Sequence, residues 1–327
     1  MALSVRKFPP ASMLVVLAST LLVAAAHAQD GPIRVLVGYA PGSTSDAIAR
    51  LLADRMKMSL GNPVIVDNRA GANGFIAAEA LKNARPDGKT LMIAPIAVTV
   101  FAPFTHANLR YDPVKDFAPV SLAANFQFAL AVGPSSPVKT LPEHIAWLRA
   151  NPAQAAYGLP LAGGPGHFLG VMVARETGVN LTFVPYKGGG PLVTDLIGGQ
   201  VPAAIALVSD MLKQHQAGKL RILAVFGPKR SPVAPDVPTF QELGFAAIEG
   251  GLGWHAFHTT AGTPRPTIDR LSTAIAAAVK APEVSERLVA LGVEPVGSTP
   301  DELARRIAED IAKWGPAVKA SGFRADE

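Results

Sequence analysis

The residues best placed to do chemistry lie in the stretch VGYAPGSTSDAIARLLADRM, at positions 37–56 of this 327-residue chain. A strand end and a Pro-Gly turn lead there into a polar helix start formed by Ser43, Thr44, Ser45 and Asp46. Free backbone N–H groups and the positive end of a helix dipole favour an anion at such a place. A fixed Asp46 carboxylate would repel a bound anion unless it faces away, so we expect it to orient the loop backbone. The same residues also fit an ordinary N-cap with an acid in the first turn. The stretch therefore indicates either an anion site or a plain helix cap.

Histidine and lysine side chains supply further candidates for contact with a ligand. His167 lies at a helix start inside the glycine-rich segment GGPGHFLG, where it either braces the loop or touches the ligand. Lys187 precedes three glycines, and its side chain either pairs with a carboxylate or extends into solvent. Asp195 and Asp210 fall on predicted helices, and we expect both to be solvated.

Patterns for cofactor, metal and nucleophilic chemistry are weak. DGKT at 87–90 lacks the earlier glycine of a phosphate-binding loop, and GLGWHA at 251–256 lacks the strand-turn-helix context of a dinucleotide site. His255 and His258 are predicted to lie on opposite faces of a strand. The sequence has no cysteine, no H-E-x-x-H and no G-x-S-x-G motif. We therefore predict no catalytic residue, no cofactor and no metal site.

The first 28 residues have the pattern of an export signal. Arg6 and Lys7 form a positive start, and the apolar run Met13–Ala26 is too short to span a bilayer. The small residues around His27 form a cleavage pattern, so we expect cleavage after Ala28. Cleavage lowers the formal charge from +5 to +3, because the signal carries two cations and no acid.

Composition excludes several classes of function. The mature chain is nearly neutral with scattered basic residues, and aromatic residues make up 6% of the sequence, so a nucleic-acid partner is not expected. The uncharged stretches 91–104 and 117–138 are broken by prolines and are typical of buried strands and loops. A chain of this length without disulfides is expected to be stabilised by its apolar cores, in two domains.

Apolar runs of strand length alternate with amphipathic helical patterns along the mature chain. Strands are predicted at 33–39, 62–68, 89–95, 121–133, 155–160, 180–186, 203–208 and 220–226. Capping boxes mark two helix starts, Thr140 with Glu143 and Thr299 with Glu302. The alternation predicts parallel sheets with crossover helices, and the ligand of such a sheet lies beyond the carboxyl ends of its strands. That rule selects the loops at 41–46, 95–97, 161–167 and 186–190.

Eight segments spread over the mature chain carry a likeness to one known family. They are RVLVGYAPGSTSDAIAR, NPVIVDNRAGANG, ARPDGKTLMIA, RYDPVKDFAPVSL, FVPYKGGGPLVTDLIGGQV, AGKLRILAVFGPKRSPVAPDVPTFQELG, AGTPRPTIDRLSTAI and EPVGSTPDELARRI. Together they resemble the periplasmic solute receptors of tripartite tricarboxylate transporters, the Bug family. The resemblance runs from about Ile33 to Gly322, in order and with few gaps.

The resemblance implies an α/β chain with the type II periplasmic-binding-protein fold. In that fold two α/β lobes are joined by two crossover segments, and a central ligand cleft closes in the manner of a Venus flytrap. After the signal peptide at 1–28, lobe 1 would comprise 29–128 plus 251–327, and lobe 2 would comprise 129–250. The crossings would be NFQFALAVG and EGGLGWHAFH.

The resemblance also implies which residues bind the solute. In that family the loop matching 39–46 grips a carboxylate through backbone N–H groups, partly through ordered water. The matching ligand-binding positions are Tyr39, Gly42, Ser43, Thr44, Asp46, Ile96, Ala97, Ala162, Gly163, Gly164, His167, Tyr186, Lys187, Gly188 and Ala206. Whether His167 and Lys187 touch the ligand directly stays open.

Departures from the family pattern indicate the kind of solute. Ser43 stands where family members commonly have a second glycine, and the loop at 95–98 reads Pro-Ile-Ala-Val instead of a polar sequence. Gly166 replaces a serine, and Ala206 replaces an aspartate that suits amino groups. An unpaired buried polar group costs about 1–3 kcal/mol, so an apolar wall disfavours a ligand with several charges. The sequence therefore predicts a monocarboxylate, or an aromatic or hydrophobic acid, held carboxylate-first at Ser43 and Thr44.

The leading interpretation is a periplasmic receptor without chemistry of its own. It would act as a monomer and present a small organic acid to membrane permease subunits. A secreted hydrolase on the same fold, with Ser43 or Thr44 as nucleophile and His167 as base, is the alternative from another class. A sensor partner that docks a histidine kinase when loaded would use the same residues.

Overall fold

A computed structural model of the protein describes residues 31–248 and 250–325, so the predicted signal peptide and its cleavage site lie outside the described residues. The chain first forms β1 (Ile33–Val37), α1 (Thr44–Leu60), β2 (Val64–Asn68), a 3₁₀ turn (Ala72–Gly74), α2 (Phe75–Lys82), β3 (Thr90–Pro95), a π-helical turn (Ala97–Phe101), α3 (Ala102–Thr105) and β4 (Phe117–Val132). It continues with α4 (Leu141–Ala150), a 3₁₀ turn (Pro152–Gln154), β5 (Ala156–Leu159), α5 (Pro165–Thr177), β6 (Thr182–Pro185), α6 (Gly189–Ile197), β7 (Ala203–Leu207), α7 (Val208–Gln216) and β8 (Arg221–Val225). It ends with β9 (Leu252–Thr260), α8 (Arg265–Lys280), α9 (Pro282–Ala290), β10 (Glu294–Pro295) and α10 (Pro300–Ala320).

The strands form two sheets that share β4. The first sheet has the order β2-β1-β3-β9-β4, with β1 parallel to β2 and β3, and with β9 antiparallel to β3 and β4. The second has the order β4-β7-β5-β6, with β5 parallel to its two neighbours and β8 also paired to β4. Helices connect the parallel strands, as the alternation in the sequence predicts. Among the described residues, no helix is long and apolar enough to cross a bilayer.

Strand β4 is the first connection between the two lobes. It pairs with β9 as far as Gln127 and with β7 from Phe128 onward. The Phe128 N–H donates to the Gly251 carbonyl at 3.1 Å, and the Phe226 N–H donates to the Phe128 carbonyl at 2.9 Å. Strand β9 begins at Leu252 and lies in the first sheet, so the chain has returned to lobe 1 by that residue. Most of EGGLGWHAFH, the segment predicted as the second crossing, therefore belongs to a strand. The lobe limits at 128/129 and 250/251 stay a prediction.

Helix α1 forms as its sequence predicts. Ile48, Leu52 and Met56 recur at intervals of four residues and are fully buried against the first sheet. Gly61 ends the helix in the left-handed conformation, with φ of 72°, and its N–H donates to the Lys57 carbonyl. Strand β1 ends at Val37, two residues before the predicted end, since the chain turns at Gly38. A Cβ on that glycine would lie 2.5 Å from the Cα of Gly74.

An aromatic joint connects the two lobes. Phe101, in the π-helical turn of lobe 1, stacks on Phe168 of α5 in lobe 2, with ring centroids 5.5 Å apart. The Trp314 ring of α10 also packs on Phe101, with ring centroids 5.1 Å apart and the ring planes tilted by 48°. All three side chains are buried, so one continuous apolar core runs through both lobes.

A buried polar contact fixes α10 on the first sheet. The indole N–H of Trp254, in β9, donates to the Asp310 carboxylate at 2.7 Å. Arg306 donates to the same oxygen at 2.8 Å, one helical turn away. Asp310 therefore satisfies a fully buried donor and a partly buried cation at once.

Replacement of Asp310 by alanine should destabilise the protein, because the Trp254 N–H loses its only acceptor within the described residues. We expect the free energy of unfolding to fall by about 1–3 kcal/mol in urea titrations. Glu309→Ala changes the exposed neighbour on the same helix and should alter it by about 0.5 kcal/mol or less. Equal losses in the two variants would contradict this account of the contact.

Candidate functional site

The start of α1 combines a helix cap with unpaired N–H groups. Ser43 is the N-cap, with φ −65° and ψ 159°, and its hydroxyl accepts from the Asp46 N–H at 3.3 Å. The first N–H groups of a helix have no partner inside it. Within the described part of the chain, those of Thr44 and Ser45 also have no protein acceptor. Within this turn, the Asp46 N–H is therefore used by the helix cap, whereas the N–H groups of Thr44 and Ser45 can bind an anion.

Asp46 organises the loop before the helix. Its carboxylate accepts from the Gly42 N–H at 2.9 Å and from the Asn68 side chain at 2.8 Å, and both of its oxygens accept from the Arg50 Nε–H at 3.0 Å. Asn68 also donates to the Tyr39 carbonyl at 3.2 Å and accepts from Arg50 at 2.9 Å. Asp46 orients the loop backbone, as expected from the sequence, and its charge is balanced by Arg50.

The charge state of Asp46 follows from these contacts. Burial alone would raise the pKa of the Asp46 carboxyl, but hydrogen bonds from Arg50, the Gly42 N–H and Asn68 outweigh that effect. The pKa of Asp46 therefore lies below its ordinary value. The carboxylate is thus ionised at neutral pH, although its side chain is only 4% exposed.

A buried contact below the loop was not predicted. The Ser45 hydroxyl lies 3.2 Å from Nδ1 of His255, which belongs to β9, and both residues are buried. Burial lowers the pKa of His255 to about 3, so its ring is neutral at physiological pH. The contact joins the first turn of α1 to β9, the strand by which the chain returns to lobe 1. Ser45 and His255 are 210 positions apart, so no local sequence pattern indicates that they are in contact.

The remaining lobe 1 candidates lie at the carboxyl ends of neighbouring strands. Ile96 is buried and Ala97 half-buried, at the start of the π-helical turn after β3, the strand next to β1. The Tyr39 hydroxyl donates to the Asn73 carbonyl at 3.1 Å, and burial raises the pKa of Tyr39 above its ordinary value. This hydroxyl is therefore engaged by the protein and stays protonated at neutral pH.

His167 braces the first loop of lobe 2. The Gly163 N–H donates to Nδ1 of His167 at 3.3 Å, and the ring packs against the rings of Phe168, Phe183 and Phe323. Burial lowers the pKa of His167. Gly163 has φ of +73° and lies beneath Phe323, where a Cβ would come 2.5 Å from the ring. The loop from Ala162 to His167 is thus covered on one side by the C-terminal segment.

That C-terminal segment contacts both lobes. Phe323 lies against Gly163 of lobe 2, while the Ala325 N–H donates to the Thr105 carbonyl of α3 at 2.8 Å. Together with the aromatic joint of Phe101 and Phe168, it forms a second contact between the two lobes. Nothing in the sequence around Phe323 indicated this position, because it follows the last helix and belongs to no periodic pattern.

The other lobe 2 candidates lie on the adjacent strands. The Gly188 N–H donates to the Pro160 carbonyl at 3.2 Å, which joins the loop after β6 to the loop after β5. The Tyr186 hydroxyl donates to the Asp195 carboxylate at 3.0 Å, so the expectation that Asp195 is simply solvated is wrong. Lys187 is exposed, and Ala206 is fully buried in β7 beside β4.

The predicted residues therefore form two groups, one at the strand ends of each lobe. Tyr39 to Asp46 with Ile96 and Ala97 make up the first, and Ala162 to His167 with Tyr186 to Gly188 make up the second. In the described residues, no hydrogen bond links the hydroxyls of Ser43 or Thr44 to His167, so the hydrolase alternative lacks its nucleophile-base contact in this conformation. The same residues hold no cluster of three or more His, Cys, Asp or Glu placed for a metal ion.

Comparisons with known proteins identify the family of this chain. The model of the tripartite tricarboxylate transporter family receptors matches residues 48–323. BugT of Bordetella pertussis is 35% identical over 297 residues, which cover 90% of each chain. The chain therefore belongs to the tripartite tricarboxylate transporter receptor family. The predicted membership of the Bug family is confirmed, and the protein is a periplasmic solute-binding receptor of that family.

Solved structures establish the fold of this receptor. A periplasmic transporter is 37% identical, with a TM-score of 0.80, and the R. palustris protein Rpa4515 with adipate is 31% identical, with a TM-score of 0.81. Each comparison covers 90% of this chain and 99% of the other. The predicted two-lobed α/β fold of the periplasmic-binding type is confirmed.

Replacing Asp46 by asparagine should destabilise the receptor in a pH-dependent way. A carboxylate whose pKa is lowered in the folded state contributes stability above its unfolded pKa of about 3.9 and loses it as the pH falls through the folded pKa. We expect Asp46→Asn to lower the free energy of unfolding by about 1 kcal/mol at pH 7, because Arg50 is half-exposed and its attraction is screened. The difference should close as the pH falls below about 4.

Urea unfolding at several pH values from 3 to 7 measures this difference. The control is Asp54→Asn, which removes an exposed carboxylate from the same helix. A difference between wild type and Asp46→Asn that stays constant over the whole pH range would overturn the role given to the ionised carboxylate.

Proposed function

We propose that this receptor captures a small organic acid by binding its carboxylate at the first turn of α1. The unpaired N–H groups of Thr44 and Ser45 carry the proposal, because they remain available after Ser43 and Asp46 have organised the rest of the loop. A helix of 17 residues adds its dipole to these donors. The ligand-binding residues of both lobes named from the family resemblance are part of this proposal.

The ligand is a monocarboxylate, or an aromatic or hydrophobic acid. Ile96, Ala97 and Ala162 offer no polar side chain, and the Tyr39 and Tyr186 hydroxyls are bonded to protein groups. Additional charges on the ligand would then be buried without partners, which costs about 1–3 kcal/mol for each polar group. Rpa4515 was solved with adipate, a dicarboxylate, so ligand class is a point at which this chain can differ from that relative.

Calorimetric titration against citrate, aspartate, glutamate, benzoate-like acids and fatty acids tests the ligand class. We expect binding to acids with one carboxylate and an apolar body, and weak binding to citrate and aspartate. Tight binding of citrate or aspartate would contradict the argument from the apolar wall. The proposal that the protein binds a carboxylate would still hold.

A proline at position 44 tests the carboxylate site itself. Thr44 is the first residue of α1, where proline fits without helix cost, and Ser43 before it is extended, as proline requires. Thr44→Pro removes one of the two free N–H groups, and a hydrogen bond to a charged group contributes about 1.5–3 kcal/mol. We therefore expect the affinity for the best acid of the titration series to fall by about tenfold or more.

Thr44→Val is the matched control, because it keeps the N–H and removes only the hydroxyl. Its affinity should stay within about threefold of wild type if the backbone carries the contact. Melting temperatures of both variants should match wild type. Unchanged affinity in the proline variant would place the carboxylate elsewhere.

The receptor works by closure of its two lobes, proposed as 29–128 plus 251–327 and 129–250, over the acid. The partner change of β4 at Gln127 and Phe128 supports the first limit. A ligand shifts the open and closed populations only by binding the closed form more tightly. The closed form is then recognised by the permease subunits of a tripartite tricarboxylate transporter. Export with cleavage after Ala28 belongs to the same proposal, and the mass of the mature protein tests it.

A further inference from the structure

The imidazole ring of His255 lies next to the first turn of α1, where three segments of lobe 1 meet. Its Nδ1 is 3.2 Å from the Ser45 hydroxyl of α1. In the first sheet His255 is paired with Pro95, the last residue of β3, which directly precedes the predicted ligand-binding residue Ile96. The ring also packs against the Phe126 ring of β4, with centroids 5.0 Å apart. His255 therefore joins the start of α1 to the end of β3 and to β4.

Both partners of the contact between Ser45 and His255 are shielded from solvent. Ser45 is 3% exposed and His255 is 5% exposed. Because burial lowers the pKa of His255 to about 3, its neutral ring carries one N–H and one acceptor nitrogen at pH 7. Nδ1 bonds to the hydroxyl in either tautomer, as acceptor or as donor. A buried polar group without a partner is costly, so the protein favours this one arrangement of the two side chains.

Ser45 carries two polar groups with different surroundings. Its hydroxyl contacts His255, whereas its N–H, like that of Thr44, has no protein acceptor in the described part of the chain. The side-chain contact therefore holds the residue in place without using the N–H. Donors that are already held in the binding geometry cost less entropy to order when a ligand arrives.

The first turn of α1 is thus attached to the sheet from two strands. Asp46 accepts from the Asn68 side chain of β2, and Ser45 contacts His255 of β9. These two strands lie on either side of β1 and β3 in the first sheet. The turn that carries the free N–H groups is therefore fixed from both directions across the sheet.

We propose that His255 is a positioning residue for carboxylate binding. Through the Ser45 hydroxyl it holds the first turn of α1 so that the N–H groups of Thr44 and Ser45 point at the ligand carboxylate. The inference rests on the proposed function and adds to it a buried residue that does not itself touch the acid.

Two substitutions of similar shape separate the hydrogen bond from packing. Asparagine places an amide oxygen or nitrogen two bonds from Cβ, as histidine places Nδ1, whereas leucine places a methyl group there. Benzoate and hexanoate serve as probes in calorimetric titrations at pH 7. For the acid that wild type binds more tightly, we expect His255→Asn to stay within about threefold of wild type and His255→Leu to bind about fivefold or more weakly.

The same pair in a Ser45→Ala background tests whether His255 acts through the hydroxyl. Ser45→Ala alone should lower the affinity by a factor similar to that of His255→Leu, because it removes the other half of the contact. In that background His255→Asn and His255→Leu should bind the acid equally, within about twofold. If His255→Leu is weaker than His255→Asn by the same factor in both backgrounds, the residue acts by packing and the inference is overturned.

His258→Leu is the control for removing a buried histidine from β9. The His258 ring packs against Phe117 and Trp254, and its loss should leave the affinity within about threefold of wild type. A loss equal to that of His255→Leu would contradict the inference. Melting curves show whether each variant is folded at the titration temperature. If His255→Leu does not fold, His255→Phe replaces it, because phenylalanine keeps a ring and lacks Nδ1.

Two further outcomes separate this inference from the proposed function. If Thr44→Pro weakens binding and His255→Leu does not, or if His255→Asn binds as weakly as His255→Leu, the inference fails and the proposed carboxylate site stands. If neither acid binds wild type, or if Thr44→Pro leaves the affinity unchanged, the proposed function fails and the inference fails with it.

Discussion

The loop before α1 depends on one carboxylate. Asp46 receives hydrogen bonds from the backbone of Gly42 and from the side chains of Asn68 and Arg50, and these come from the loop, the neighbouring strand β2 and the next turn of the helix. Because its charge is balanced by Arg50, it organises the loop without occupying the N–H groups of Thr44 and Ser45. Among the described residues these two N–H groups have no acceptor, so they can bind an external anion.

The second lobe uses an aspartate in a different way. Asp46 is buried and paired with a cation, whereas Asp210 is exposed, has a raised pKa and lies against the start of α6. One acid thus leaves its helix start accessible, and the other covers its helix start with a negative charge. The two helix starts therefore differ in local charge, although each follows a strand and a loop that contains glycine.

The sequence allowed the elements to be predicted closely, because each obeys a local rule. The apolar spacing of α1, the glycine that ends it and the two capping boxes at Thr140 and Thr299 all appear in the structure. The family resemblance supplied the two-lobed fold. Contacts between distant segments had no such signal: the Ser45 and His255 pair, and the packing of Phe323 on Gly163, depend on how the sheets and the last helix come together. Residue-level contacts between segments distant in the sequence were therefore beyond local patterns.

Strand β4 has a consequence for the way the lobes can move. It is 16 residues long, and its backbone is paired on both sides of the point where it passes from one sheet to the other. A rotation between the lobes cannot be absorbed by a loose linker there, and has to be taken up as twist and bending of a hydrogen-bonded ribbon. A hydrogen-bonded strand resists twisting and bending, so it favours one angle between the lobes. The angle between the lobes is therefore set by the curvature of β4 as well as by the solute.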